Sequence, residues 1–371
     1  MTDNLVDGRE IYDNIETIFF NPIKRGKKMN KYVVLKKSGF NKFIKELRRI
    51  APVMAPVAKG YNNYAFAEVK SGQEIALTYI PTILPPKKFF MPQQEKFQEF
   101  NKSQKKWTPV VKSEEVILFG VHTCDLAGIQ FLNKVMSTDP KDVNYLSRKN
   151  KIAVIGLECN DYCDEFASCA LMRNHLPKGG YDLLLTDLGA FFMVHVRTNK
   201  GAALLQKIKL PAAKVKDQAV LKALRKKKAT LFRNEVRVSR DELKKVFDKT
   251  LDSGVWEDLN RRCLSCGNCT NVCPTCYCFD IRDDLNLDLN IGSRTRVWDG
   301  CQSENFAKVA GGENFREERS ERQRHRYFRK FRFPVSRFDS YACTGCGRCS
   351  RTCMAKINLK ETINALAEEA K

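Results

Sequence analysis

The sequence predicts an α/β domain with a largely parallel sheet, followed by a smaller α+β domain organised around cysteines. Three observations carry this. Short apolar runs alternate with helical periodicity over the first two hundred residues. The pattern then turns helical and basic. Two cysteine runs of the same spacing follow near the C terminus.

The elements follow in order. Tyr32–Leu35 reads as a strand, and Phe40, Phe43, Ile44, Leu47 and Ile50 fall at the spacing of one helical face. The segment 78–90 holds three prolines and reads as extended. Val116–Val121 and Ile152–Leu157 are short apolar runs of the kind buried strands show, with a helix from Leu126 to Met136 between them. Tyr181–Leu185 and Phe191–Val196 complete the strands. Ser239 and Glu242 form a capping box, and Trp256–Leu259 leads a helix into the first cysteine run. Residues 357–370 read as a short amphipathic helix. The expected organisation is an extension at 1–28, with Met29 as an alternative start, and an α/β domain at 29–212. A helical connector at 213–260, the cysteine domain at 261–360 and a terminal helix at 361–371 complete it.

The 371 residues are 43% hydrophobic, enough for real cores. No secretory signal or membrane-length apolar run is present, so a cytoplasmic location is expected. The net charge of +22 is what solvated lysines would give; an acidic partner or nucleic acid is the sharper reading. Ten of the fifteen cysteines fall at 263–278 and 343–353. That bunching suits metal ligation rather than a disulfide framework, because thiols three residues apart on one loop cannot pair without strain.

Cys263-x2-Cys266-x2-Cys269-x3-Cys273-Pro274 matches the bacterial ferredoxin run, and Cys343-x2-Cys346-x2-Cys349-x3-Cys353 repeats it with Met354 in place of proline. Three thiolates so spaced wrap one face of an iron–sulfur cube. In two-cluster ferredoxins the fourth cysteine crosses over. The expected ligand sets are therefore Cys263, Cys266, Cys269 and Cys353 for one [4Fe–4S] cluster, and Cys343, Cys346, Cys349 and Cys273 for the other. The fold expected here is ferredoxin-like with a long insert at 277–340. That insert carries Cys276, Cys278 and Cys301, for which a further cluster, zinc and a structural role all stay open. Its arginine-rich run, Arg316–Arg332, is expected to neutralise the clusters and to pin the insert through Glu313, Glu317, Glu318 and Glu321.

Four cysteines remain upstream. Cys124 follows one predicted strand and Cys159 the next, so both fall at the carboxyl edge of a parallel sheet, where ligand sites gather. Cys159, Cys163 and Cys169 are expected to hold a third [4Fe–4S] cluster, with Cys124 and Asp125 competing for the fourth place. His122 is a candidate ligand or hydrogen-bond donor there; His175, His195 and His325 read as structural.

Phe119-Gly-Val-His-Thr-Cys-Asp125, Cys273-Pro-Thr-Cys-Tyr-Cys278, Trp298-Asp-Gly-Cys-Gln302 and Ala310-Gly-Gly-Glu-Asn-Phe-Arg316 can be taken together. They resemble the family of iron–sulfur subunits found in anaerobic sulfite reductase (its A subunit) and in sulfhydrogenase (its beta subunit). The resemblance spans roughly residues 31–360. It implies an electron-transfer subunit placed between an FAD flavoprotein that handles NAD(P)H and a catalytic subunit, either a sirohaem sulfite reductase or a nickel–iron hydrogenase. Glu313 stands where that family has histidine, and the spacing of Cys159, Cys163 and Cys169 is looser than usual there, which leaves the branch open. Two other readings stay in view. One is a nucleic-acid-binding protein with structural clusters, motivated by the charge and by the aromatic residues among the arginines. The other is an iron–sulfur enzyme acting at the upstream cysteine site.

Overall fold

The computed structural model describes residues 31–371, which form one compact unit. The expected extension at 1–28 and the alternative start at Met29 lie outside the described residues.

Eleven strands are present among these residues: β1 Tyr32–Lys36, β2 Val53–Ala58, β3 Tyr64–Glu68, β4 Gln94–Asn101, β5 Lys106–Pro109, β6 Val116–His122, β7 Ile152–Leu157, β8 Leu183–Asp187, β9 Phe191–Val196, β10 Phe279–Leu285 and β11 Ile291–Trp298. Seven build one sheet in the order β1-β9-β8-β7-β6-β2-β3. Its centre, β2-β6-β7-β8, is parallel. β9 and β3 run antiparallel to it, and β1 pairs antiparallel with β9. Both faces are covered, so β6 and β7 are apolar almost throughout. One face packs Phe119, Ile155, Leu183 and Phe192 against the helix Phe40–Arg48. The other packs Leu118, Val154 and Leu184 against Leu126, Ile129 and Leu132 of the helix Thr123–Met136.

The remaining strands form a second, antiparallel sheet in the order β10-β11-β4-β5. Its two hairpins come from distant parts of the chain, and β11 lies on β4 from Val297 opposite Gln94 to Ile291 opposite Asn101. The segment 277–298 is thereby stitched to the α/β part. Glu95 of β4 secures the joint. It is buried, accepts from Arg296 of β11 at 2.7 Å, and also pairs with Arg148 of the helix Val143–Lys151.

The C-terminal part is helical around a core of its own, with Phe247, Trp256, Leu259, Phe331, Ile363 and Leu366 at its centre. The helix Val255–Arg262 delivers the chain to Cys263. The last helix, Leu359–Glu369, is capped by Asn358. The segment 78–90 is extended only in its first part, because Lys87–Phe90 winds into one helical turn that buries Phe90.

Candidate iron–sulfur sites

The two cysteine motifs fold alike. Ser265 and Gly345 hold positive φ at the same place in each, as do Gly267 and Gly347, and a short helical turn follows both, Asn268–Asn271 and Arg348–Arg351. The surroundings differ. A Cβ on Gly345 would sit 2.5 Å from the Ser168 carbonyl oxygen, and one on Gly347 would sit 2.8 Å from the Phe166 backbone. The second motif is thus pressed against the loop that carries Cys163 and Cys169, and the Ser168 amide donates to the Gly345 oxygen at 2.8 Å.

Cys263, Cys266, Cys269 and Cys353 line one cavity of about 30 Å³, which Cys349 also lines, with Arg326, Gln323 and Gln302 in its wall. The Gln323 amide nitrogen donates to the Cys263 sulfur at 2.9 Å. The backbone amides of Ser265 and Ile357 point at the sulfurs of Cys263 and Cys353, at 3.4 and 3.3 Å. Burial pushes Cys269 up to about 12, with the charges of neighbouring thiols adding to it.

The other set gathers beside it. Burial first, then the charges of Cys349, Cys346 and Cys273, push Cys343 up. The Thr275 hydroxyl lies 3.2 Å from the Cys273 sulfur, and Lys330 donates to that hydroxyl at 3.1 Å. Arg326 lies in the wall of the first cavity, and its charge is favoured by Cys269, Cys349 and Cys273 against the cost of burial. Its Nε and the Oε1 of Gln323 are buried with no partner. Crowded buried thiols beside an uncompensated guanidinium suit an anionic cluster held by thiolates, and this donor set fits iron and sulfide.

At the edge of the large sheet, β6 ends on His122 and β7 on Leu157, which is its neighbour across a parallel pair. Cys124 and Asp125 fall in the first turn of the helix after β6, and Cys159 comes two residues after β7. The ligand atoms of His122, Cys159 and Cys163 all lie within 4.8 Å of one another. The His122 Nδ1 is 3.9 Å from the Cys163 sulfur, and Thr123 donates to the Cys159 sulfur at 3.4 Å. Cys159 is held low by the thiol of Cys163, against burial and with help from His122 and Thr123. Burial pushes Cys124 and Cys169 up, and neither lies in that group of ligand atoms or lines the cavity beside it. Tyr79 stacks on His122 at 3.8 Å and donates to the Gly120 oxygen at 2.6 Å, fixing the ring. The group opens into a cavity of about 380 Å³ that also touches Tyr64, Asn160 and Asp187.

Asp125 is engaged by an arginine of the second motif. Its two oxygens accept from Arg348 at 2.6 and 2.8 Å, with both side chains fully buried. Arg348 stands between Cys346 and Cys349, and its Nε donates to the Thr82 oxygen at 2.6 Å. This pair joins the sheet edge to the second motif. Arg351 and Asp164 form a second such link. Sequence reasoning passed over Arg348, although a long cation between two thiols in a tight motif was the available signal. It also passed over Glu158, a fully buried carboxylate beside Cys159 that accepts from Lys228 at 2.8 Å and Arg225 at 2.9 Å.

The arginine run forms the helix Arg319–Phe331, which buries Arg322, Arg326, Tyr327, Phe328 and Phe331. Its acids do not pin it as expected. Glu318 and Glu321 cap the helix on themselves, and the ion pairs run instead to Asp248, at 2.7 Å from Arg332, and to Asp252. His195 stacks on Tyr32, His175 stacks on Phe232, and His325 lies inside the helix.

These sites can be set beside known proteins. The 4Fe-4S dicluster domain family matches residues 262–357. Sulfhydrogenase 2 subunit beta of Pyrococcus furiosus (strain ATCC 43587 / DSM 3638 / JCM 8422 / Vc1) is 33% identical over 341 residues, which is 91% of this chain and 99% of that one. The chain belongs to the sulfhydrogenase beta subunit family. It is an iron–sulfur protein of electron transfer whose cluster-bearing part is the 4Fe-4S dicluster domain. No solved structure matches it. No helix among the described residues is long and apolar enough to cross a membrane.

Proposed function

We propose that the chain is the electron-relay subunit of a cytoplasmic hydrogenase-type complex. In this reading it passes single electrons between an FAD flavoprotein that handles NAD(P)H and a catalytic subunit of the nickel–iron hydrogenase kind. A sulfite reductase partner is the other branch of the same proposal. One [4Fe–4S] cluster belongs to Cys263, Cys266, Cys269 and Cys353, and the other to Cys273, Cys343, Cys346 and Cys349. A third centre belongs to Cys159 and Cys163, with Cys124, Cys169 and His122 completing its surroundings. Bound there, such clusters take up and release one electron at a time with little change of shape.

The observation that carries the reading is the contiguity of the three sites. The cavity of the first set also reaches Cys349 of the second, with Arg326 in its wall, and Arg348–Asp125 with the Gly345–Ser168 contact links the second to the third. Gln323 and the backbone amides at the sulfurs stabilise the reduced, more negative state, which raises the potential of the first cluster.

The test is stoichiometric reduction of anaerobically purified protein by dithionite, followed by reoxidation with a flavoprotein or artificial acceptor. Reversible bleaching without substrate turnover supports a relay. A redox-inert chain rules it out. The 380 Å³ cavity at His122, Cys159 and Cys163 favours one second reading, a reaction performed at that centre. That reading requires turnover by the isolated subunit with an artificial donor. Nucleic acid finds no comparable support, because the aromatic residues of the arginine run face the protein core.

A further inference from the structure

Three cysteines are used by none of these sites. Cys276 and Cys301 are buried, Cys278 is partly so, and all three line one enclosed cavity of about 20 Å³. The cavity is comparable in volume to the one lined by Cys263, Cys266, Cys269 and Cys353. It is large enough to admit a water-sized body between the thiols. A single ion with thiolates at about 2.3 Å would leave no such space among its ligands.

The wall opposite the thiols is basic. Arg326, Arg329 and Lys330 line the same cavity. Lys87 approaches from behind, buried, donating to the Cys276 carbonyl oxygen at 2.9 Å and lying 3.7 Å over the Trp298 ring. Among the described residues none of these four cations pairs with a carboxylate; Arg329 lies on the Tyr277 ring, and the Nε of Arg326 has no partner at all. Buried cations need a counter-charge, and neutral thiols do not supply one. Arg326 and Lys87 serve the neighbouring thiol sets as well, Lys87 through Cys273, while Arg329 lies in the wall of this cavity.

We propose that Cys276, Cys278 and Cys301 hold a further iron–sulfur cluster beside the two dicluster sites, with three thiolate ligands. No fourth thiol lines the cavity, so the remaining iron takes an oxygen ligand, which makes this cluster the most labile of the set. The inference rests on the iron–sulfur reading above and extends it to a site that the two ferredoxin-spaced motifs do not require.

The experiment uses the full chain, purified without oxygen, with iron, sulfide and zinc counted for wild type, Cys301→Ser, Cys278→Ala and Cys159→Ser. The expected result is a loss of about four irons and four sulfides in both Cys301→Ser and Cys278→Ala, the content of one cube. Cys159→Ser should lose its own share independently, and the electron paramagnetic resonance signals of the two dicluster sites should persist throughout. Unchanged iron in Cys301→Ser and Cys278→Ala, or loss of zinc in place of iron and sulfide, overturns the proposal. If only Cys159→Ser loses iron, the proposal fails while the relay reading stands. If the wild type holds no iron, both fail. Should the serine variant lose all its clusters by unfolding, the wild-type count decides. Metal for only the two dicluster sites and the sheet-edge site overturns the proposal; one further cube supports it.

Discussion

Replacing Arg348 tests how the sheet edge and the second motif are held together. Arg348 and Asp125 are both fully buried and share two hydrogen bonds of 2.6 and 2.8 Å. Removing one partner of such a pair costs about 3–5 kcal/mol, because the other charge stays buried alone. The two single substitutions should not be equal. Arg348→Met leaves the Asp125 carboxylate beside Cys124 and beside Cys346, which carries negative charge as a ligand in the proposed reading. Asp125→Asn leaves the Arg348 guanidinium beside the same sulfurs, which offset it. Arg348→Met is therefore expected at the upper end, about 5 kcal/mol, and Asp125→Asn at the lower end, about 3 kcal/mol. The double variant should recover much of the loss, since a well-packed neutral pair costs little. The assay is thermal unfolding of anaerobic holoprotein, in which each kcal/mol shifts the midpoint by about 2–4 °C for 150–250 residues and by less in a longer chain. A larger cost for Asp125→Asn than for Arg348→Met, or losses that simply add in the double variant, would refute the reasoning.

Other predictions follow from the same structure. Glu95→Gln should destabilise by about 3 kcal/mol, since it strands Arg148 in the joint between the two sheets. Burial raises the Glu95 carboxyl, but Arg148 and Arg296 together hold it below its usual value. Its contribution is thus present above the unfolded value of about 4.3 and lost as pH falls through the lower folded value, so chemical denaturation of Glu95→Gln should show a weaker acid dependence than wild type. Gly345→Ala should disrupt the second motif, because its Cβ would meet the Ser168 oxygen at 2.5 Å in a left-handed backbone; Ser265→Gly at the matching place of the first motif should be tolerated, as iron retention would show. Gln323→Leu should lower the midpoint potential of one cluster in redox titration by removing the donor to Cys263, while leaving the iron content unchanged.

The strands of the large sheet that are apolar throughout were legible in the sequence, because burial on both faces writes itself as an unbroken run in β6 and β7. β2 was not, since Pro56 interrupts it. The proline is tolerated because β2 pairs with β6 only at Val53 and Met54 and has already left it at Pro56. The second sheet left no trace, because β10 is exposed along its whole length and β11 finds β4 across some two hundred residues, which no local pattern records. The cysteine motifs were legible as spacing. What surrounds them was not: Arg348 and Arg326 look like surface charge in a basic sequence and gain their meaning only from the buried thiols they face.

Electron paramagnetic resonance of the anaerobically purified, dithionite-reduced chain tests the central claim most directly. Two adjoining cubes should give signals broadened by their mutual coupling and integrating to about two spins or more per chain. A chain with zinc in place of iron and sulfide, or one that stays silent on reduction, would contradict the account.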